Sequence, residues 1–467
     1  MTPRTSTKRL LPWLAGVALF MESLDTTILT SAIPRMSHAL GVAPLAMKSV
    51  LSYYTLSLAV FIPISGWLAD RFGTRRVFLS AIGVFTASSL LCALAGDVAQ
   101  LAAFRLLQGL GGAMMVPVIR LTLVRAFPRA ELVGVLSMVS IGAIVGPMLG
   151  PTVGAAIVEL ASWRMIFFVH LPIGVVGMFL VARRMPDFRA LGTPRLDLVG
   201  FAMFGAALAL ASFVLEGFDQ HRTSTAGNLG LIAIVIALLV AYLVHAARTP
   251  QPILRLGLLA IPTLRIAVTG TVLTRIAFGG FPFLVALLYQ VGFGLSPLQA
   301  GLLVLPQPLA AMACKPWISR ILARLGHRTT LVAVSVFGAA AIASFAAVDR
   351  AAPVWILLAL VAAVGFCASL VATSLATLAY ADVQTADTSM AATIVSTLQQ
   401  LSMSFGVVAA ALITSLSLPD RAHANSPEIV SGLHHGLIGL GAFTLLSTWV
   451  FARLHPSDGH AVSHFRA

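Results

Sequence analysis

The chain has 467 residues, of which 58% are hydrophobic and only 10% charged, against roughly 25% charged in soluble globular domains. That balance excludes a water-soluble fold and points to a body dissolved in lipid. The formal charge of +14 is not the footprint of a nucleic-acid binder, because the basic residues gather in alternate short connections, the bias that orients multi-pass membrane proteins.

A hydrocarbon layer of about 30 Å takes about 20 helical residues per crossing. Apolar runs of that length predict fourteen spans, near 11–34, 47–69, 77–96, 98–124, 131–160, 163–184, 196–217, 227–247, 262–291, 298–319, 329–348, 353–379, 389–417 and 431–453. The first run is too long for a signal peptide and carries Glu22 and Asp25 in its middle, so it reads as an uncleaved span. Twenty of the 30 Lys and Arg fall in the two tails and in the connections after spans 2, 4, 6, 8 and 10. Six lie on the opposite side (Arg35, Lys48, Arg164, Arg222, Arg350 and Arg421), and four (Arg105, Arg120, Arg275 and Lys315) lie within spans. The surplus predicts that both termini are cytoplasmic.

The two longest basic connections, near 183–196 and 248–262, bracket spans 7 and 8. The predicted organisation is an N-terminal six-helix bundle over 1–190, an inserted helix pair over 191–255, and a C-terminal six-helix bundle with a cytoplasmic tail over 256–467. A degenerate repeat supports it. Gly66–Arg76 after span 2 and Ser319–Thr329 after span 10 are offset by 253 residues, so that Arg71, Gly73 and Arg75 align with Arg324, Gly326 and Arg328, while Asp70 aligns with Ala323. Parallel halves of this kind belong to transporter folds that bind cargo at the bilayer midplane. The three cysteines lie in apolar stretches at irregular spacing and predict neither a disulfide framework nor a zinc site. His434-His435 and the tail histidines His455, His460 and His464 lack ligand spacing, so no metal is expected.

An ionised side chain at mid-membrane costs about 2.5–3.5 kcal/mol on insertion scales and therefore needs a partner, a wet cavity or a function. At 1.5 Å per residue, Asp25, Arg105 and Arg275 each fall ~20 Å from the cytoplasmic surface, within one layer. Glu22 and Asp25 are three apart, on one helix face. Two carboxylates so placed resist being ionised together, whereas a neighbouring Arg favours their ionisation, which makes Asp25, Glu22 and Arg105 candidates for proton coupling; the alternative is a fixed ion pair that orders the bundle. Gly142, Gly146, Gly150 and Gly154, interleaved with Pro147 and Pro151, read as a close helix–helix seam, either plain packing or a seam that rocks. The loop with Asp70, Arg71, Gly73, Arg75 and Arg76 is either a topology signal or a gate latch. Arg120 and Lys315 either snorkel or, together with Arg275, Gln108 and His170, meet the cargo; an anionic cargo then follows. His170 is either a second titrating group or a structural histidine. No nucleotide-binding glycine loop occurs, and no nucleophile–base or metal-ligand cluster lies within the spans, so neither a nucleotide-driven pump nor an enzyme is expected.

Several of these segments resemble signature motifs of the major facilitator superfamily: Asp25-Thr-Thr-Ile28 running to Pro34, Gly66–Arg76, Arg105-Leu-Leu-Gln108-Gly109-Leu-Gly111-Gly112, Gly146-Pro147 and Trp163–Pro172. The match is to its fourteen-span drug:proton antiporter branch (EmrB/QacA-like), and Met114–Pro117 with Arg120, Arg275 and Lys315 resembles the MdtD-type bacterial exporters within it. The chain departs from that pattern at His170, where Asn is usual, and at Glu22, an extra acid. The resemblance implies an all-α polytopic membrane protein with the major facilitator fold, two six-helix bundles plus two inserted helices. It implies proton-coupled antiport of drug-like small molecules out of the cytoplasm by alternating access, in the bacterial inner membrane. Asp25 and Arg105 would couple, Asp70 and its basic neighbours gate, and the Gly-Pro seam mark an antiporter. Its partners would be the small-molecule substrate, protons and the lipid bilayer, with no nucleic acid and no cofactor, since the proton gradient supplies the energy, and the chain would act as a monomer. The alternatives are a dedicated exporter of an anionic metabolite or metal chelate, and a passive facilitator.

Overall fold

The computed structural model describes residues 5–190, 195–220, 225–384, 387–417, 426–455 and 458, and these are helical almost throughout. They divide into two compact units, Met1–Leu198 and Val199–Ala467.

In the first unit the chain runs through α1 (Thr5–Ile28), α2 (Ile33–Ala39), α3 (Lys48–Phe72), α4 (Thr74–Leu94), α5 (Val98–Ala126), α6 (Arg129–Leu160), α7 (Met165–Phe168) and α8 (His170–Arg184). Local chemistry sets the ends. Asp97 caps α5 by accepting the Gln100 N–H, as an N-cap carboxylate should. Gly73 separates α3 from α4 at φ 97°, a conformation that only glycine adopts without strain. Helix α1 packs most extensively on α6, and α5 packs between α3 and α4, while α8 lies against α4.

The second unit holds α9 (Leu198–Gln220), α10 (Thr225–Arg248), α11 (Pro262–Leu287), α12 (Pro297–Val304), α13 (Pro306–Ala343), α14 (Val354–Ala379), α15 (Thr388–Leu416) and α16 (Ser426–Phe451). Ser296 and Gln299 form a reciprocal capping box at the start of α12. Helices α13 and α14 pack together, as do α11 and α15, with α16 against α11 and α13.

Among the described residues, twelve helical stretches are long and apolar enough to cross a membrane, against the fourteen spans expected. The difference has two sources. Spans 10 and 11 run together as one stretch, Pro297–Ala347, because the basic connection between them is helical on both sides of a single break at Gly326, where φ is 72° and ψ 167°. The described apolar part of α9, Leu198–Val214, falls short of a full crossing. The break at Gly326 stands 253 residues after Gly73, and both glycines adopt positive φ with extended ψ. The sequence repeat is thus also a repeat in backbone shape.

Candidate functional site

The polar centre of the first unit is a buried cluster built by five helices. Asp25, in the last turn of α1, is fully buried, and Arg105 of α5 is 1% exposed. Arg105 Nη1 donates to Asp25 Oδ2 at 2.6 Å and to Gln108 Oε1 at 2.6 Å, while its Nε donates to the Val50 carbonyl of α3 at 3.2 Å. The guanidinium also stacks over the Tyr54 ring, 4.2 Å from its centroid. Gln108, one turn below Arg105, donates from Nε2 to Asp25 Oδ1 at 3.1 Å and to Ser89 Oγ of α4 at 2.7 Å. A buried carboxylate with an Arg and an amide on its two oxygens satisfies the condition under which a charge can leave water at all. Close helix approach makes the cluster possible: a Cβ at Gly109 would lie 2.6 Å from the Tyr54 carbonyl, and one at Gly111 2.7 Å from the Phe85 nitrogen.

His170, the first residue of α8, completes the cluster. It is fully buried, with Nε2 4.0 Å from Asp25 Oδ1 and the Phe85 ring edge-on at 5.5 Å. Gln108 and His170, expected among the cargo contacts, therefore lie inside the Asp25 cluster. The coupling reading expects Asp25 and Arg105 to face an opening; instead packing of α1, α3, α4, α5 and α8 seals the cluster in the resting structure, the arrangement expected of the alternative, a fixed ion pair. Glu22, three residues before Asp25 on α1, is half-buried and interacts electrostatically with Arg120 of α5. The Asp25–Arg105 ion pair thus has a second acid and base near it along the α1–α5 contact, with Arg120 exposed.

The glycine seam belongs to the same machinery, because its partner is α1. A Cβ at Gly142 would overlap the Gly16 carbonyl, one at Gly146 would sit 2.7 Å from Ser23 Cβ, one at Gly150 would meet the Thr27 hydroxyl, and one at Gly154 the Ile28 carbonyl. Ser31 Oγ donates to the Pro151 carbonyl at 2.8 Å, capturing an acceptor near the helix-interior prolines Pro147 and Pro151.

At the loop end of α3, Asp70 pairs with Arg125 of α5 at 2.6 Å, each about one-third exposed. Arg71, Arg75 and Arg76 are exposed. The segment after α8 straps this loop. Asp187 Oδ1 accepts the Arg75 N–H at 3.0 Å, the Thr74 N–H donates to the Phe188 carbonyl while the Phe188 N–H donates to Thr74 Oγ1, and Ala190 N–H donates to the Asp70 carbonyl. A Cβ at Gly73 would collide with the Asp187 carboxylate. Neither Asp187 nor Arg125 was singled out by the sequence, although Asp187 is the lone acid in the 183–196 connection.

In the second unit Arg275 of α11 faces a small cavity of about 50 Å³ lined by Thr271, Thr274, Phe278, Val371, Val395 and Gln399. Its polar contact is weak, Met403 Sδ at 3.9 Å, and it has no acidic partner within ion-pairing distance among the described residues. Lys315 of α13 is exposed. His455 donates its N–H to Asp458 Oδ2; His460 and His464 lie outside the described residues.

The model of the Major Facilitator Superfamily matches residues 15–407. The chain belongs to that superfamily. This facilitator is 35% identical over 446 residues to a multidrug resistance protein named MdtD from Serratia proteamaculans, covering 96% of the chain and 93% of that protein. It is 34% identical over 460 residues to the MdtD of an Escherichia coli O6:H1 strain, covering 98% and 97%. Solved facilitator structures share the fold at low identity. A bacterial homologue of the human lysosomal transporter Spinster superposes with a TM-score of 0.70 at 12% identity, covering 98% of both chains. The POT family transporter PepTSo superposes with a TM-score of 0.70 at 14% identity, covering 95% of this chain and 97% of that one. The protein is thus a multi-pass membrane transporter of this superfamily.

Proposed function

We propose that this transporter exports drug-like small molecules from the cytoplasm across the bacterial inner membrane in exchange for protons, with fourteen crossings and both termini cytoplasmic. The fourteen comprise the twelve apolar stretches, with Pro297–Ala347 divided at Gly326 and α9 added. The inserted pair is α9 and α10.

The single observation that carries the coupling is the Asp25–Arg105 pair, 2.6 Å apart and 1% exposed on each side. A proton from water enters this buried cluster only when the helices around it part, so proton exchange with solvent is tied to helix movement rather than to the resting state. Protonation neutralises the carboxylate and weakens its hold on Arg105, giving the two states the differential interaction that any ligand-driven switch requires. Helix α1 is the natural moving part, because it carries Asp25 and Glu22 and rests on the glycine notches of α6. The test is Asp25→Asn in proteoliposomes with an imposed pH gradient. At least tenfold loss of gradient-driven export is expected, with facilitated downhill exchange retained; undiminished gradient-driven export would refute the coupling role.

Arg275 favours a second reading of the cargo. A guanidinium at mid-membrane with no acidic partner among the described residues, beside Thr271, Thr274 and Gln399, suits an anionic metabolite or chelate better than a cationic dye. Ligand-induced proton release from purified protein, screened with lipophilic cations, neutral drugs and organic anions, separates the two. Anions that lose their response in Arg275→Gln support the second reading, and cations unaffected by that change support the first.

A further inference from the structure

The cluster around Asp25 contains one group that the ion pair does not use. His170 is fully buried, yet among the described residues neither ring nitrogen has a hydrogen-bond partner; the ring lies near the carbonyls of Ile166 and Phe167 without a bond of good geometry to either. Buried polar atoms are nearly always satisfied, and an orphaned one calls for a role. Here the orphan points at the coupling carboxylate, with Nε2 4.0 Å from Asp25 Oδ1. Its position is fixed by structure rather than by chance: Phe85 of α4 holds the ring edge-on, and Gly174, one turn along α8, lets α8 close on the Thr86 hydroxyl.

We infer that His170 and Asp25 together form the proton site of this transporter, two seats for one proton. This rests on the proton-coupled reading above and assigns its second member. The charged and titratable groups facing the ring are Asp25 of α1 and Arg105 of α5, with Tyr54 of α3 and Cys92 of α4 around the same cluster. In the proton-loaded state the proton sits on Nε2 as imidazolium beside the Asp25 carboxylate. A small ring rotation closes the 4.0 Å gap. The Nε2–H bond then breaks as the Oδ1–H bond forms, leaving neutral imidazole and neutral carboxylic acid, and no other reactant is consumed. Arg105, having lost its counter-ion, is still held by the Val50 carbonyl, Gln108 Oε1 and the Tyr54 ring. The seats differ in consequence: a proton on His170 leaves the Asp25–Arg105 attraction standing, and a proton on Asp25 removes it. Transfer between them is therefore the step that releases α1 from α5.

The test needs no cargo. Full-length protein carrying ¹³C-labelled histidine is placed in lipid nanodiscs, and the His170 signal is identified as the one missing in His170→Asn among the 11 histidines. It is followed from about pH 5 to 9, the range in which histidines titrate. The expected result is a His170 signal that titrates in wild type and whose midpoint moves in Asp25→Asn. A signal that stays constant over the range, or titrates identically with and without the Asp25 carboxylate, overturns the proposal. If His170→Asn fails to fold, His170→Gln supplies the assignment. The outcome is independent of transport: coupled titration without gradient-driven export would strike at the antiport reading alone, whereas gradient-driven export with an inert His170 would strike at this one alone.

Discussion

Arg105 is the residue on which the polar cluster is strung. One side chain reaches Asp25, Gln108, the Val50 carbonyl and the Tyr54 face at once. That combination needs a planar fork with several donors and a weakly hydrated cationic face. Lysine has neither, so Arg105→Lys is expected to lower gradient-driven export at least tenfold although charge is kept, which a proteoliposome assay measures. Gln108→Ala leaves one donor fewer on Asp25 and removes the donor to Ser89 Oγ, which keeps only its own bond to the Phe85 carbonyl. Removing one side of a buried hydrogen bond costs about 1–3 kcal/mol, and thermal unfolding in detergent should read a corresponding fall in Tm. Asp25 and Arg105 were legible in the sequence because charge inside an apolar run stands out. Gln108 and His170 were visible as polar residues, but whether they faced cargo or the ion pair is decided by how α4 and α8 pack, which periodicity does not encode. Asp187 was hidden for another reason: it lies in an irregular segment, and only the fold brings it to the start of α4.

At the scale of the helices, the α1–α6 seam makes a graded prediction. Gly142 faces a backbone carbonyl of α1 that cannot step aside, whereas a Cβ at Gly230 of α10 would meet nothing within 4 Å. Overpacking costs about 1–3 kcal/mol, and an exposed helical Gly→Ala change gains about 0.5–1 kcal/mol. Gly142→Ala should therefore lower Tm and slow transport, and Gly230→Ala should raise Tm slightly and leave transport unchanged. Equal effects of the two would show that the seam is not a tight contact. The seam was readable as a stripe of small residues four apart; its partner was not, since nothing in α6 names the helix it grips. Helix positions themselves followed from apolar length, with ends displaced by a few residues. The exception is the pair of spans joined through α13, where helix-compatible residues on both sides of Gly326 carry the helix up to and beyond the break.

For the molecule as a whole, the sidedness read from Lys and Arg can be checked without removing any native thiol. Cys92, Cys314 and Cys367 are all free and buried, at most 1% exposed. A membrane-impermeant maleimide should leave the wild-type protein in intact cells unlabelled. Cysteines placed at the exposed positions Arg76 and Arg328 should label from the cytoplasmic side alone, and one at exposed Arg350 from the outside alone. Labelling of positions 76 and 328 from opposite sides would break the parallel relation between the two copies of the repeat.

The twin elbows at Gly73 and Gly326 are bent alike, yet duplication has left them unequally fastened. Only the earlier one keeps an acid, Asp70, bolted to Arg125, and the later one has Ala323 in its place. A partly wetted bolt of that sort holds with about 1 kcal/mol or less, little more than thermal agitation. It can bias which posture the protein rests in, yet yield on every turnover with no outlay beyond jostling by the solvent.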